Sequence, residues 1–166
     1  MFRTTEFVQM ATEIERKFLV TGSSWRTRTP TYYCQGYLNR DKNRTVRVRI
    51  AGESGVLTIK GLTIGASRRE YEYNIPVTDA KELLSMCDGP MIEKMRHKIY
   101  HDGLTWEIDE FLGDNEGLVI AEVELVSESQ VFISPDFLAR EITHDDRYFN
   151  SNLSVRPYKR WSDGIL

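Results

Sequence analysis

The sequence predicts an α+β fold in which eight short strands form a largely antiparallel sheet and a few helices pack outside it. Short runs of the chain alternate apolar and charged side chains, which is the pattern of half-buried strands. Turn-forming residues separate most of these runs, and short loops favour antiparallel neighbours. The predicted strands, in chain order, are Glu13–Val20, Thr31–Leu38, Thr45–Ala51, Gly55–Gly61, Arg68–Ile75, Ile92–Tyr100, Leu104–Phe111 and Gly117–Leu125.

Three helices are predicted between or after these strands. Asp79 can cap the first, with Glu82 three residues later as the second member of a capping box. Ser134 begins the second, because Pro135 follows it at the first helical position. A short helix is also expected within Leu153–Trp161.

The length of 166 residues fits one domain, assigned to residues 12–166, with residues 1–11 as a disordered extension. The net charge of −3 argues against general nucleic-acid affinity. No signal peptide is recognised, and no apolar run approaches the roughly 18 residues of a membrane span. Cys34 and Cys87 lack metal-type spacing and are expected to be free thiols. These features favour the cytoplasm.

The charged positions of the predicted strands are segregated by sign. Side chains two residues apart share one face of a strand. Same-face acids are Glu13 with Glu15, Glu70 with Glu72, Glu107 with Asp109, and Glu122 with Glu124. Same-face bases are Arg47 with Arg49 and Lys94 with Arg96 and Lys98. Lys17 shares a face with Glu13 and Glu15 on the first strand, and Lys60 shares one with Thr58 on the fourth.

Like charges side by side are unfavourable by roughly 4 kcal/mol at about 4 Å and an effective dielectric near 20. A ligand of opposite sign would relieve this repulsion. Acid pairs suggest divalent cations and base pairs suggest a polyanion, so together they indicate a metal–polyphosphate complex. An ordinary solvated sheet face is the alternative. If the charged faces point inward, the sheet closes into a barrel with a polar lumen.

The segment Glu13-Ile14-Glu15-Arg16-Lys17 resembles the ExExK signature of the CYTH superfamily, the triphosphate tunnel metalloenzymes. The resemblance continues in order along the chain, from Thr12 to the C-terminus. Its further segments are Gln35-Gly36-Tyr37-Leu38, Thr45-Val46-Arg47-Val48-Arg49, Leu57-Thr58-Ile59-Lys60-Gly61, Arg69-Glu70-Tyr71-Glu72-Tyr73, Lys94-Met95-Arg96, Trp106-Glu107-Ile108-Asp109-Glu110-Phe111, Ala121-Glu122-Val123-Glu124-Leu125 and Asp145-Asp146-Arg147-Tyr148-Phe149-Asn150.

The resemblance implies an eight-stranded antiparallel tunnel that holds a triphosphate together with Mg²⁺ or Mn²⁺. Carried over by motif, the metal ligands are Glu13, Glu15, Glu122 and Glu124, with Asp109. The implied phosphate-binding residues are Arg47, Arg49, Lys60, Lys94 and Arg96. Lys17 and Lys60 match lysines near the attacking water, and Tyr37 is a candidate contact for them. Glu70 and Glu72 match tunnel acids of a second metal site or acids that orient the bases, and Glu107 is a candidate for the same role.

The predicted reaction is metal-dependent hydrolysis of inorganic triphosphate to pyrophosphate and phosphate. Three alternatives stay open: a class IV adenylyl cyclase, a thiamine or nucleoside triphosphatase, and a non-catalytic polyphosphate-binding module. Which lysine activates water is also open. A homodimer is a further expectation, and no nucleic-acid or membrane partner is expected.

Overall fold

A computed structural model describes residues 14–41, 43–64 and 67–161. These residues form one nine-stranded sheet in which every pairing is antiparallel. The strands are β1 Ile14–Val20, β2 Thr31–Asn39, β3 Arg44–Ala51, β4 Ser54–Ile64, β5 Ser67–Ile75, β6 Ile92–His101, β7 Leu104–Phe111, β8 Val119–Leu125 and β9 Leu138–Glu141. Their order across the sheet is β5-β4-β3-β2-β6-β7-β8-β1-β9.

The barrel-like antiparallel fold is confirmed, and all eight predicted strands are present with small differences at their ends. The sheet has one strand more than predicted. Within the described residues, its edge strands β5 and β9 are not hydrogen-bonded to each other, so hydrogen bonding does not close the barrel.

The predicted helix at Ser134 is wrong, because the chain there leads into strand β9. Leu138 pairs with Val20 on the outer edge of β1, and the Thr21 N–H donates to the Phe137 carbonyl at 2.9 Å. The edge of β1 would otherwise expose unpaired backbone groups, and strand pairing satisfies them. Phe137 is buried in the core beside β1, so long-range packing decides the conformation of this segment.

The first helix, α1, spans Val77–Ser85, and the predicted cap at Asp79 is wrong. The Ala80 N–H donates to the Pro76 carbonyl at 2.9 Å, so the helix begins after Pro76 without a side-chain cap. Asp79 lies instead in the first turn, where its negative charge complements the helix dipole. The apolar side of α1, including Leu84, packs on the outer face of β2 and β3.

The C-terminal helix also differs from the prediction over Leu153–Trp161. Helix α2 spans Asn150–Leu153, and 3-10 turns cover Asp146–Tyr148 and Tyr158–Arg160, with a third earlier in the chain at Gly113–Asn115. Pro157 precedes the turn at Tyr158, and its backbone at φ −58° and ψ 151° is extended rather than helical.

Two of the apolar cores lie on the outer face of the curled sheet. A third packs on the inner face beyond the charged residues, because Ile92, Phe111 and Ile120 each lie two positions from a charged inner-face residue on their strands. Phe18, Trp106, Ile108 and Val123 form the core beneath Phe137. In the part of the chain that the structure describes, no helix is long and apolar enough to cross a membrane.

Candidate active site

The inner face of the sheet surrounds a cavity of about 590 Å³ whose wall is dominated by charged side chains. Its lining residues are Glu15, Lys17, Tyr33, Gln35, Arg47, Arg49, Lys60, Glu70, Glu72, Lys94, Arg96, Thr105, Glu107, Glu122, Val123, Glu124 and Asn150. The structure therefore brings twelve of the predicted site residues together: Glu15, Lys17, Arg47, Arg49, Lys60, Glu70, Glu72, Lys94, Arg96, Glu107, Glu122 and Glu124.

Lys17 lies between two carboxylates at the junction of β1 and β8. Its Nζ is 2.7 Å from Glu15 and 2.5 Å from Glu122, because Lys17 pairs with Glu122 across the strands and Glu15 pairs with Glu124. Burial opposes the charged form of Lys17, but the carboxylates of Glu122 and Glu15 outweigh it and raise its pKa. Lys17 is therefore an ammonium group at neutral pH.

The pKa values of Glu15 and Glu122 are shifted in opposite directions by their surroundings. Burial, followed by repulsion from Glu122, raises the pKa of Glu15. Burial also opposes ionisation of Glu122, but the positive charge of Lys17 outweighs it and lowers the pKa of Glu122. Two neighbouring carboxylates thus share one lysine, and a further cation would stabilise the charged form of Glu15.

Asp109 on β7 joins two cations of β6. Its side chain is fully buried, and Arg96 donates to both of its oxygens, at 2.7 Å through Nε and 2.6 Å through Nη2. Lys94 also donates to Asp109. Burial would raise the pKa of Asp109, but the charge of Lys94 and the Arg96 hydrogen bonds outweigh it and lower that pKa. Both oxygens are engaged, and Asp109 is not among the residues that line the cavity.

Arg96 has further partners that fix its guanidinium group. It donates to Glu107 and lies 3.5 Å from Glu122. The ring of Tyr33 faces the guanidinium with 4.9 Å between its centroid and Cζ, a cation–π geometry. Burial opposes the charge of Arg96, but its hydrogen bonds to Asp109 outweigh it and raise the pKa.

The cations of β3 are held less tightly than those of β6. Arg47 and Arg49 lie 3.5 Å and 3.7 Å from Glu72. Burial, followed by repulsion from Arg49, lowers the pKa of Arg47. On the adjacent strands, Lys60 and Glu70 form a closer ion pair at 2.7 Å.

Besides Asp109, two predicted site residues are not among those shown to line the cavity. Glu13 is outside the described residues. Tyr37 is buried directly opposite Arg47 on the neighbouring strand, with Arg40 over its ring, and it does not line the cavity. Lys98, which is 58% exposed, pairs with Glu107 at 2.8 Å.

Sequence reasoning missed five cavity residues: Tyr33, Gln35, Thr105, Val123 and Asn150. Tyr33, Gln35 and Tyr37 follow one another at intervals of two residues along β2 and share one face, so the period-two pattern could have placed Tyr33 and Gln35 on the inner face. Asn150 comes from α2, and no local pattern connects it with the sheet.

The cavity carboxylates offer the oxygen ligands that hard divalent cations prefer. Over residues 14–41, 43–64 and 67–161, however, no group of three or more His, Cys, Asp or Glu side chains is arranged to hold a metal ion. Glu13, a predicted ligand beside Glu15, is not among these residues.

A curled antiparallel sheet around paired acids and bases defines a protein with a tunnel for a polyanion. The chain belongs to the CYTH domain family, whose pattern matches residues 11–156. It is 51% identical over 156 residues to a protein of Acetivibrio thermocellus named inorganic triphosphatase. The match covers 93% of this chain and 100% of that protein.

An inorganic triphosphatase of Nitrosomonas europaea is 37% identical over 148 residues, covering 87% of this chain and 97% of that protein. The crystal structure of an inorganic triphosphatase is also similar, with a TM-score of 0.70 and 35% identity. That match covers 88% of this chain and 96% of the other.

Proposed function

We propose that this protein is an enzyme that hydrolyses inorganic triphosphate to pyrophosphate and phosphate. The observation that carries the proposal is the cavity, in which six cationic side chains face carboxylates within about 590 Å³. The names of the relatives from Acetivibrio thermocellus and Nitrosomonas europaea support the same substrate.

The cations would bind the phosphate chain and stabilise its charge as the bond breaks. Phosphoryl transfer needs little covalent help, so positioning and electrostatics supply most of the catalysis. Arg47 and Arg49 can bind phosphate oxygens with two hydrogen bonds each. Arg96 already donates to Asp109 and Glu107, so it contributes mainly its positive charge, as Lys60 and Lys94 do.

Lys17 serves best as a hydrogen-bond donor. Its raised pKa keeps the ammonium group protonated, so it orients water or a phosphate oxygen rather than removing a proton. Lys60, which also lines the cavity, stays the second candidate for this role.

We propose Mg²⁺ or Mn²⁺ as the cofactor, held by Glu13, Glu15, Glu122 and Glu124. The donor chemistry fits, because these side chains supply oxygens and because burial, followed by repulsion from Glu122, raises the pKa of Glu15, which a bound cation would offset. When bound, the cation neutralises charge on the phosphate oxygens. Asp109 stays a predicted ligand, but its hydrogen bonds to Lys94 and Arg96 support a role in positioning those cations.

The test is phosphate release from inorganic triphosphate with Mg²⁺ or Mn²⁺, and with EDTA. ATP, thiamine triphosphate and pyrophosphate are run in parallel. We expect release that depends on metal and falls strongly in Lys17→Met and Glu15→Gln, whereas Lys81→Met on the exposed side of α1 leaves it unchanged.

Other outcomes would identify the alternatives. Cyclic AMP formed from ATP would replace the proposal with a cyclase, and faster turnover of thiamine triphosphate or ATP would change the substrate. Triphosphate binding without any turnover would indicate a binding module. The homodimer and the cytoplasmic location stay predictions.

A further inference from the structure

Gln35 on β2 has a buried amide group that lacks a hydrogen-bond partner. Its side chain lines the cavity and is only 2% exposed, yet its Nε2 donates to no group in the described part of the chain. Burying an amide donor without an acceptor is costly, so such groups are normally satisfied by protein, water or a ligand. The partner of Gln35 is therefore expected inside the cavity.

Two arginine nitrogens beside Gln35 share this property. Gln35 lies directly opposite Arg49 across the β2–β3 pairing, so their side chains share the inner face. The Nε atoms of Arg49 and Arg47 are buried and also lack partners among the described residues. On β6, by contrast, the Nε of Arg96 donates to Asp109 at 2.7 Å. Among the described residues that line the cavity, the buried donors without partners thus lie on the β2–β3 wall, and the other such donors of the described chain belong to residues that do not line it.

An uncharged donor suits this position better than a third cation. Burial and repulsion from Arg49 already lower the pKa of Arg47, and another positive charge opposite Arg49 would add to that repulsion. A carboxylate at position 35 would pair with Arg49 and compete with an anionic ligand. An amide adds a directional donor without either effect.

We propose that Gln35 contacts the substrate and donates a hydrogen bond from Nε2 to a non-bridging oxygen of the phosphate that Arg47 and Arg49 bind. The identity of that phosphate, as part of inorganic triphosphate, rests on the proposed function. The arginines supply attraction, and Gln35 fixes the orientation of the phosphate group between β2 and β3.

The test compares Gln35→Met, which keeps the length of the side chain but removes the donor, with Gln35→Glu. Cys34→Ala is the control, because Cys34 is also buried on β2 but packs against α1. Binding of inorganic triphosphate is measured by titration calorimetry in EDTA, and KM and kcat are measured with Mg²⁺. Melting temperatures are recorded for all variants.

A hydrogen bond to a charged group implies roughly tenfold to hundredfold weaker binding in Gln35→Met. The loss in Gln35→Glu should be larger, because a negative charge then faces the phosphate. We expect KM to rise by a similar factor with little change in kcat, which is the behaviour of a contact made equally in the ground and transition states. Cys34→Ala should keep the wild-type affinity.

Unchanged affinity and KM in Gln35→Met would overturn the inference, since water would then satisfy the amide. The inference would also be overturned if Gln35→Met and Cys34→Ala both lost affinity for triphosphate in proportion to their loss of melting temperature. A third result against it would be a wild-type protein that binds no triphosphate with or without Mg²⁺. Wild-type binding without turnover, weakened in Gln35→Met, would refute the proposed hydrolysis and still support the contact.

Discussion

Neutralising the buried carboxylate of Asp109 should lower the free energy of unfolding far more than neutralising an exposed carboxylate of the same protein. The Asp109→Asn substitution keeps the shape of the side chain but removes the negative charge that Lys94 and Arg96 share. Lys94 is 3% exposed, so water cannot replace that charge. Removing one partner of a buried ion pair costs about 3–5 kcal/mol, because the remaining charge stays buried without compensation.

A matched control is Glu141→Gln, which removes one partner of the exposed ion pair between Glu141 and Arg16. The Arg16 hydrogen bonds lower the pKa of Glu141 to about 2. However, the two side chains are 39% and 33% exposed, and solvent screening limits such pairs to about 1 kcal/mol or less. Both substitutions break an ion pair, but only Asp109→Asn leaves a buried charge without a partner, so the difference between them measures the effect of burial.

The assay is thermal and urea unfolding of both variants at pH 7.5. For a protein of this size, about 1 kcal/mol shifts the melting temperature by roughly 2–4 °C, so Asp109→Asn should lower it by roughly 6–20 °C. Adding Lys94→Met to Asp109→Asn should recover part of the loss, because no unpaired lysine is then buried. A loss in Asp109→Asn no larger than that in Glu141→Gln would refute the reasoning.

Two further predictions concern parts of the fold away from the cavity. Burial lowers the pKa of His97 below its unfolded value near 6.5, so its contribution to stability is present above pH 6.5 and is lost as the pH falls through the folded-state pKa. His97→Gln should therefore lose less stability than wild type between pH 7.5 and 5.5 in urea unfolding, and equal losses would contradict this. At Gly36, an added Cβ would lie 2.8 Å from Sγ and 2.9 Å from Cβ of Cys87, so Gly36→Ala should destabilise by about 1–3 kcal/mol. Gly61→Ala, whose nearest contact would be 3.8 Å, should change the unfolding free energy by less than about 0.5 kcal/mol, and similar effects at both sites would count against overpacking.

The alternation of charged and apolar residues was sufficient to predict most strands and most cavity residues. Arg47 and Arg49 show why: a period of two places both on one face, whatever the rest of the fold does. Strand β9 could not be predicted in this way, because Leu138–Glu141 becomes a strand by pairing with an edge more than one hundred residues earlier. Ser134 and Pro135 indicate only the local preference for starting a helix and carry no information about pairing with the distant strand β1.

Gln35 and Asp109 show a second limit of the sequence. A neutral polar residue in an alternating strand has the same pattern on a solvated face as in a cavity, so the unsatisfied donor of Gln35 becomes visible only in three dimensions. Asp109 has the right spacing for a metal ligand, but spacing does not reveal that Lys94 and Arg96 already engage its oxygens.

The ion pairs of the cavity differ in length and burial between the β6 wall and the β3 wall, so a polyanion displaces some of them more easily than others. Arg96 is held by Asp109 at 2.6–2.7 Å in a buried setting, so moving it means breaking strong, well-aligned hydrogen bonds. Arg47 and Arg49 lie 3.5–3.7 Å from Glu72, whose side chain is 47% exposed, and they lose little when they exchange it for phosphate. The β3 wall is therefore the side where a polyanion replaces the weakest internal contacts, while the β6 wall keeps its cations in place. A cavity built in this way limits like-charge repulsion before the ligand arrives and still leaves donors free for it.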